Sequence, residues 1–391
     1  MSPEPVPPST PEPAALRLGM VAGETSGDLL ASLLLQGLKQ RWPALTASGI
    51  GGPRMIALGF DAWWPAEKLS LFGYVDVLLN YRELVGIRNA LGDRLIAQRP
   101  DVFVGVDAPD FNFGLEKRLR EAGIKAVHFV CPSIWAWRPE RVKTIAASAD
   151  HVLCLFPFEP ELLRAHGIGA TYVGHPLAQV IPFEPDRAAA RAALGLPETA
   201  QVVALLPGSR RSEIKLIAPR VLAAAAILHR QRPGLRFVLP VAPGMRALVE
   251  PLLLRHAPGV PVDLLDGRSH EALAACDVTL VASGTATLEA ALFKRPMVVT
   301  YVVSWFNALR MKRLRLQPWV GLPNVLCREF VVPELLQDDA TPEALARATI
   351  EWLDDEPRRE RLGVRFHELH HLLHRDTVRE SADAIAQVVK A

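Results

Sequence analysis

Leu205-Leu-Pro-Gly-Ser-Arg-Arg-Ser-Glu-Ile214 is the stretch from which the fold can be read. The run Val202 to Leu206 is apolar and of strand length, Pro207-Gly208-Ser209 breaks it, and Ile214, Ile217 and Leu222 then recur at helical spacing. A strand that turns sharply into a helix points free backbone N–H groups and the positive end of the helix dipole at one spot. There Gly208 lets an anion approach the backbone, Ser209 adds a hydroxyl and Arg210 a forked cation. The plain alternative is an ordinary strand-to-helix turn with a surface arginine, and this stretch alone does not choose between the two.

At 391 residues the chain exceeds one ordinary core, so about two to three domains are expected. Half of the residues are apolar, yet charged side chains interrupt every apolar run before the roughly 18 residues that a membrane span requires. A net charge of +2 is too small to argue for a nucleic-acid partner. Cys131, Cys154, Cys276 and Cys327 lie far apart with no C-x-x-C spacing, which suggests neither a zinc cluster nor a disulfide framework and fits a reducing cytoplasm. Met1 to Pro13 is dominated by Pro, Glu and Ser, without the basic start and apolar core of a signal peptide, and reads as a disordered lead-in.

Working outward toward the N-terminus, Leu16 to Val21 is a strand candidate that runs into Gly23-Glu-Thr-Ser-Gly-Asp28, after which Leu29, Leu30, Leu33, Leu34 and Leu38 make a helical face. The spacing Gly23-x-x-x-Gly27 is not the dinucleotide fingerprint, and two acidic side chains so close would repel a pyrophosphate. A hydroxylated ligand suits the loop better: Glu24, Ser26 and Asp28 either hydrogen-bond sugar hydroxyls or cap the helix. Further strand-like runs at Val102 to Val106, Lys125 to Val130, His151 to Leu155 and Ala170 to Val173 alternate with helical patterns, the mark of an α/β parallel sheet covered on both faces. Ligands collect beyond the carboxyl ends of such strands, where Asp107 and Asp110 fall. Asp107 is a candidate base there, or else a cap or turn residue beside Pro109. Cys131-Pro-Ser-Ile-Trp-Ala-Trp-Arg138 puts Trp135, Trp137 and Arg138 at the same edge, as platforms for a sugar phosphate or as core.

Between Pro182 and Pro185 the pattern pauses, and the alternation then restarts at Val202 to Leu206, Arg236 to Leu239, Val262 to Leu265, Val278 to Ala282 and Pro296 to Thr300. The chain reads as two Rossmann-like α/β halves whose parallel sheets face each other across a cleft. In the second half Val278 to Ala282 delivers Ser283, Gly284 and Thr285 to another helix start, with Glu289 about one turn in. Two such helix starts suit a diphosphate, and Glu289 suits a ribose; a plain glycine turn with a solvated glutamate is the alternative. His367-Glu-Leu-His-His371 matches the H-E-x-x-H pattern of zinc proteases, but the pattern is short and little chain remains to supply a third ligand and a cleft, so a solvated or docking helix is expected.

Six segments taken together resemble the lipid-A-disaccharide synthases, from about residue 16 to near the end. They are Gly23-Glu-Thr-Ser-Gly-Asp28, Val104-Gly-Val-Asp-Ala-Pro-Asp-Phe111, Pro132-Ser-Ile-Trp-Ala-Trp-Arg138, Leu205-Leu-Pro-Gly-Ser-Arg210, Ala282-Ser-Gly-Thr-Ala-Thr-Leu-Glu289 and Leu322-Pro-Asn324. The resemblance implies a GT-B glycosyltransferase that joins UDP-2,3-diacylglucosamine to 2,3-diacylglucosamine 1-phosphate, giving a β-1,6-linked disaccharide and UDP with inversion. It implies Asp107 as base, Arg210, Gly208, Ser209, Ser283, Gly284 and Thr285 around the departing UDP, Glu289 on the ribose, and Glu24, Ser26, Asp28, Trp135, Trp137, Arg138 and Asn324 as further substrate-binding residues. The expected domains are an extension over 1–15, an acceptor and membrane-facing domain over 16–182, a UDP-sugar domain over 183–364, and a C-terminal helix over 365–391 that packs back on the first domain; dimers exchanging C-terminal parts are compatible with this. No D-x-D triplet occurs, so metal-bridged diphosphate handling is not indicated, and the resemblance implies no cofactor. A UDP-sugar epimerase of similar architecture and a two-lobed binding protein without turnover are the alternatives.

Acylated substrates would sit in a bilayer, so the enzyme is expected in the cytoplasm, peripheral on the inner-membrane surface. Leu71, Val75 and Leu78 share one helical face left over for lipid. Arg310, Lys312, Arg313 and Arg315 cluster beside Trp305, Phe306, Leu309 and Trp319 in a stretch, Ala290 to Arg328, without one acidic residue; the alternative is that the first segment is a fully buried helix and the second a solvated or dimer-facing one.

Overall fold

The structure is a computed structural model that describes residues 15–23, 25–69, 74–305 and 316–391, with side chains except at 25, 67 and 74–81. Glu24, Leu71, Arg310, Lys312, Arg313 and Arg315 therefore lie outside the described residues, as do the side chains of Val75 and Leu78.

Seven parallel strands form the first sheet: β1 Arg17–Ala22, β2 Thr46–Gly51, β3 Asp61–Pro65, β4 Val102–Val106, β5 Lys125–Phe129, β6 His151–Cys154 and β7 Gly169–Tyr172, in the order β3-β2-β1-β4-β5-β6-β7. Six more, also all parallel, form the second: β8 Val202–Leu206, β9 Arg236–Val241, β10 Val262–Asp266, β11 Val278–Ala282, β12 Met297–Tyr301 and β13 Glu334–Leu336, in the order β10-β9-β8-β11-β12-β13. Both orders are Rossmann-like. The helices used below are α1 Thr25–Arg41, α2 Pro53–Ala57, α3 Tyr74–Gln98, α4 Pro109–Glu121, α5 Glu159–Arg164, α6 Arg211–Gln231, α7 Thr285–Leu292, α8 Glu356–Leu373 and α9 Thr377–Lys390. No described helix is long and apolar enough to cross a membrane.

The described chain divides into two units. One holds the residues up to Pro176 together with Leu373–Ala391, the other Leu177–Leu372. The chain thus enters the second unit at Leu177 and returns at Leu373, so 365–372 belong with the second unit and only the end of the chain joins the first.

In the first unit the side chains of β1 alternate between two cores, as a period of two requires. Leu18, Met20 and Ala22 pack with Leu34, Leu35 and Leu38 of α1 and Ile385 and Ala386 of α9, while Val21 packs on the other face with Leu91 and Leu95 of α3, Phe103 of β4 and Leu115 of α4. A sheet covered on both faces needs apolar residues at nearly every position, which is why its strands read as short continuous runs. The last helix comes so close to α1 that a Cβ on Gly37 would stand 2.4 Å from the Val378 carbonyl oxygen, so glycine is required there for packing. The second unit repeats the principle: all five residues of β8 are buried, and Ile214, Ile217, Val221, Leu222 and Leu228 form the inward face of α6.

Candidate active site

In an open parallel sheet a ligand collects beyond the carboxyl ends of the strands, where the strand order reverses. That point lies between β1 and β4 in the first unit and between β8 and β11 in the second. Gly23 to Asp28 follows β1, Asp107 follows β4, Pro207 to Arg210 follows β8, and Ser283 to Thr285 follows β11. The residues picked out in the sequence therefore gather at two places, one in each unit.

In the first unit, a Cβ on Gly27 would lie 3.8 Å from both the Ala22 Cβ and the Val106 carbonyl oxygen, so the opening turn of α1 rests on the ends of β1 and β4 and leaves Ser26 exposed. Asp28 has a different task from the sugar binding expected of it. It is buried, with Oδ1 accepting the N–H groups of Gly52 at 3.0 Å and Met55 at 3.2 Å and Oδ2 that of Arg54 at 3.0 Å. Pro53 has no N–H, so this carboxylate satisfies the opening donors of α2 from a distant part of the chain. A Cβ on Gly52 would come within 2.5 Å of the Asp28 Cγ, which explains glycine at that position.

Asp107 and Ala108 are both in the left-handed region, at φ of 52° and 43°. The Asp107 N–H donates to the Phe129 carbonyl at 2.8 Å, its own carbonyl accepts from Asn112 Nδ2 at 2.8 Å, and its half-buried carboxylate has no hydrogen-bond or ion-pair partner among the described residues. Asp110, by contrast, is exposed and paired with Arg141 at 2.6 Å. After β5 comes the tryptophan loop, whose two rings have different fates. Trp135, expected as a sugar platform, is edge-on to Phe156 and Phe158, with its indole N–H donating to Glu159 Oε1 at 3.1 Å. Trp137 is the more exposed, with the Arg138 guanidinium stacked 4.2 Å above it, and this pair is free to meet a ligand. Glu159 was missed by sequence reasoning, since nothing local distinguishes it. It is wholly buried at the start of α5, and desolvation pushes its carboxyl up to about 8 although the Phe156 N–H and the Trp135 indole both donate to it.

In the second unit Gly208 has a φ of 112°, and a Cβ there would stand 2.6 Å from that of Glu213. Glu213 Oε2 accepts the N–H groups of Ser209 at 3.1 Å and Arg210 at 3.2 Å, and Oε1 lies 3.6 Å from the Arg210 guanidinium. For the Ser209 N–H the expectation of a backbone anion cradle is corrected: an internal carboxylate already engages the Ser209 and Arg210 donors. Still open to a phosphate are the Gly208 N–H, the Arg210 side chain, 62% exposed, and the first turn of α6. Glu213 was legible, because it stands three residues after the cap position, the spacing of a capping box.

At the neighbouring strand end Ser283 is turned inward, its N–H donating to the Thr300 carbonyl at 2.9 Å and its hydroxyl to that of Val320 at 3.1 Å. Gly284 and Thr285 are exposed, and beyond its chain neighbours no atom of the described residues lies within 4 Å of where a Gly284 Cβ would be. Glu289 Oε1 stands 3.6 Å from His270 Nε2, a residue that no motif marked. Tyr301, at the end of β12, has its hydroxyl pKa raised by burial and then by Glu213, against a lowering by Arg210, which places it in the same group. Asn324 is a further correction. It is fully buried, its amide donating to the Val332 carbonyl at 2.9 Å and Glu334 at 2.8 Å and accepting from the Val332 N–H at 3.0 Å, so it shapes the loop and offers no side-chain atom to a substrate.

In α8, His367 and His371 approach at 3.0 Å between their Nε2 atoms, with the Phe183 ring 4.4 Å from that of His371. Among the described residues no three His, Cys, Asp or Glu side chains group closely enough to hold a metal ion.

Residues 18–389 match the lipid-A-disaccharide synthetase family. Lipid-A-disaccharide synthase of Albidiferax ferrireducens is 58% identical over 380 residues, covering 96% of this chain and 98% of that protein. The enzyme of the same name from Verminephrobacter eiseniae is 56% identical, with 96% and 98% covered. Among solved structures, UDP-GlcNAc 2-epimerase from Neisseria meningitidis bound to UDP-GlcNAc superposes with a TM-score of 0.60 at 11% identity, covering 95% of this chain and 99% of that one. Acinetobacter baumannii MurG does so with 0.57 at 12% identity, covering 96% and 100%. At such identities the two structures speak for the fold alone.

Proposed function

The chain belongs to the lipid-A-disaccharide synthetase family, and from that membership we infer which of its residues carry the transfer. It is a UDP-sugar-dependent glycosyltransferase of lipid A biosynthesis. The donor in our reading is UDP-2,3-diacylglucosamine and the acceptor 2,3-diacylglucosamine 1-phosphate. An α-linked donor that yields a β-1,6-linked product requires one displacement with inversion. Asp107 takes the proton of the acceptor 6-hydroxyl as that oxygen bonds to the anomeric carbon, and the bond from that carbon to the diphosphate oxygen breaks. UDP departs carrying the negative charge that Arg210 and the helix starts after β8 and β11 stabilise, while Glu289 meets the ribose.

The observation that carries this assignment is the placing of Asp107 and Arg210 at the two strand-order reversals, each with its charged group partly free. Ser26 and the Trp137–Arg138 pair suit the sugar and phosphate of a substrate in the first unit, and Gly284 and Thr285 the diphosphate in the second. The test is to incubate the protein with both lipid substrates and look for disaccharide 1-phosphate and UDP by mass spectrometry. Epimerised UDP-sugar without UDP release would turn the assignment to the epimerases, and binding without turnover to a sugar-nucleotide-binding protein.

Acylated substrates require the enzyme to work against a membrane surface, and the inner face of the inner membrane is our reading. The exposed Trp305 and Leu316 flank the basic stretch 306–315 in the sequence, which supports a lipid-facing role for that region. Charge reversal at Arg313 and Arg315 should release the protein from anionic vesicles; unchanged sedimentation would place the contact elsewhere. Dimers that exchange C-terminal parts fit a chain whose last residues return to the first unit, and size-exclusion chromatography with light scattering tests that.

A further inference from the structure

We propose that Asn112 is a positioning residue for Asp107, an inference that rests on the reading of Asp107 as the base. Two consecutive residues with side chains, Asp107 and Ala108, hold φ values of 52° and 43°, a region that the Cβ atom disfavours. Such a turn persists only where its surroundings hold it. The Asp107 N–H is tied to the Phe129 carbonyl at 2.8 Å, and the Ala108 carbonyl accepts the N–H groups of Phe111 and Asn112 at 3.0 Å each. Among the described residues the Asp107 carbonyl is held by a side chain alone, Asn112 Nδ2 at 2.8 Å.

Asn112 is 0% exposed, its Oδ1 has no partner among the described residues, and its other contact, to the Val106 carbonyl, is long at 3.5 Å. A buried amide costs desolvation that leucine would avoid, and what it provides in return is the bond to the Asp107 turn. One helical turn on, Glu116 faces the same way, its Oε1 2.6 Å from His128 Nδ1, with both side chains fully buried. This polar face of α4 presses on β4 so closely that a Cβ on Gly105 would stand 2.1 Å from Glu116 Oε1 and 3.0 Å from the Asn112 Cβ. Asn112 therefore has no room to shift, and the carboxylate of Asp107 is aimed by a backbone that Asn112 keeps left-handed.

The test compares Asn112→Leu, which keeps the branch at Cγ and removes the donor, and Asn112→Asp, which keeps the shape and replaces the donor by an acceptor, with Asp107→Asn in parallel. Both Asn112 variants should lose kcat by a factor on the order of 10 to 100, the scale of a misplaced reacting group, with KM for the UDP-sugar within about threefold. Adding Ala108→Gly to Asn112→Leu should recover part of the lost kcat, because glycine enters the left-handed region without penalty and a merely structural defect would not respond. Circular dichroism establishes which variants are folded, and either folded Asn112 variant suffices. Near-normal kcat in it while Asp107→Asn is inactive overturns the role of Asn112 and leaves the base standing. A raised KM with unchanged kcat, or no recovery with Ala108→Gly, also overturns it. Near-normal turnover in Asp107→Asn overturns the base, and this inference with it.

Discussion

Glu213 caps the very turn that presents Arg210: its Oε2 accepts the Arg210 N–H at 3.2 Å while its Oε1 stands 3.6 Å from the same residue's guanidinium. One carboxylate thus fixes both the backbone and the direction of the cation assigned to the departing diphosphate. Removing it should loosen the turn and leave Arg210 less well aimed. Glu213→Ala is expected to lower kcat/KM about 10-fold, and Glu213→Gln, which keeps an acceptor for the turn, by less. Steady-state assays with varied UDP-sugar measure this, and equal activity in all three proteins would leave Glu213 as a helix cap only.

Arg210→Ala should slow transfer on the order of 100-fold, roughly 3 kcal/mol, because charge on the diphosphate grows toward the transition state. Arg210→Lys should restore only part of the loss, since an ammonium lacks the planar fork that engages two phosphate oxygens. Single-turnover rates at saturating donor are the measurement. Wild-type rates in Arg210→Ala would take it out of the mechanism.

Asp107→Asn keeps shape and removes basicity. UDP-sugar affinity, measured by calorimetry, should survive, while transfer falls by a factor on the order of 100 to 10,000. Loss of the fold along with activity would make Asp107 a structural residue of its strained turn.

Asp28→Ala tests whether this carboxylate holds the opening turn of α2 or a sugar. Three backbone donors lose their acceptor, so the protein should be destabilised by about 2 kcal/mol, with a lower Tm and little change in KM for either sugar. An unchanged Tm with a KM raised 10-fold would return Asp28 to sugar binding.

The buried acid under the tryptophan loop makes stability depend on pH. Burial raises Glu159 from 4.5 to about 8, so between those values the folded protein keeps a proton that the unfolded chain has released, and its stability falls as pH rises through the window. Burial lowers the His175 imidazole from 6.5 to about 4, so its contribution is present above pH 6.5 and lost as pH falls toward 4. The two oppose each other below pH 6.5, and from there to pH 8 the slope from Glu159 remains, joined by that of Glu116, another fully buried carboxyl that desolvation raises. Tm should therefore fall from pH 6.5 to 8 in the wild type, and Glu159→Gln should flatten that decline. A parallel decline in both proteins would refute the assignment to Glu159.

By itself the sequence determined ten of the thirteen described strands with the turns and helices that follow them; β2, β3 and β13, without a continuous apolar run, were not legible in it. The ten depend on signals within a few residues: the apolar run of Val202 to Leu206, the break at Pro207 and Gly208, and the helical spacing of Ile214 and Ile217. Strands alternating with helices in turn imply parallel sheets, and parallel sheets put function at their carboxyl ends, so Asp107, Arg210 and Ser283 to Thr285 could be placed before any coordinates. Only the tertiary structure decided what each polar side chain at those ends does. Asp28 and Ser26 are two residues apart, yet one is buried beneath the Gly52 turn and the other faces solvent. Asn324 and Trp135 matched a motif but turn inward to Glu334 and Glu159, and His270 meets Glu289 without any motif at all. The physical reason is range: periodicity and turn chemistry act along the chain over one or two helical turns, whereas burial and hydrogen-bond pairing are set by partners far away in sequence, brought near by strand order.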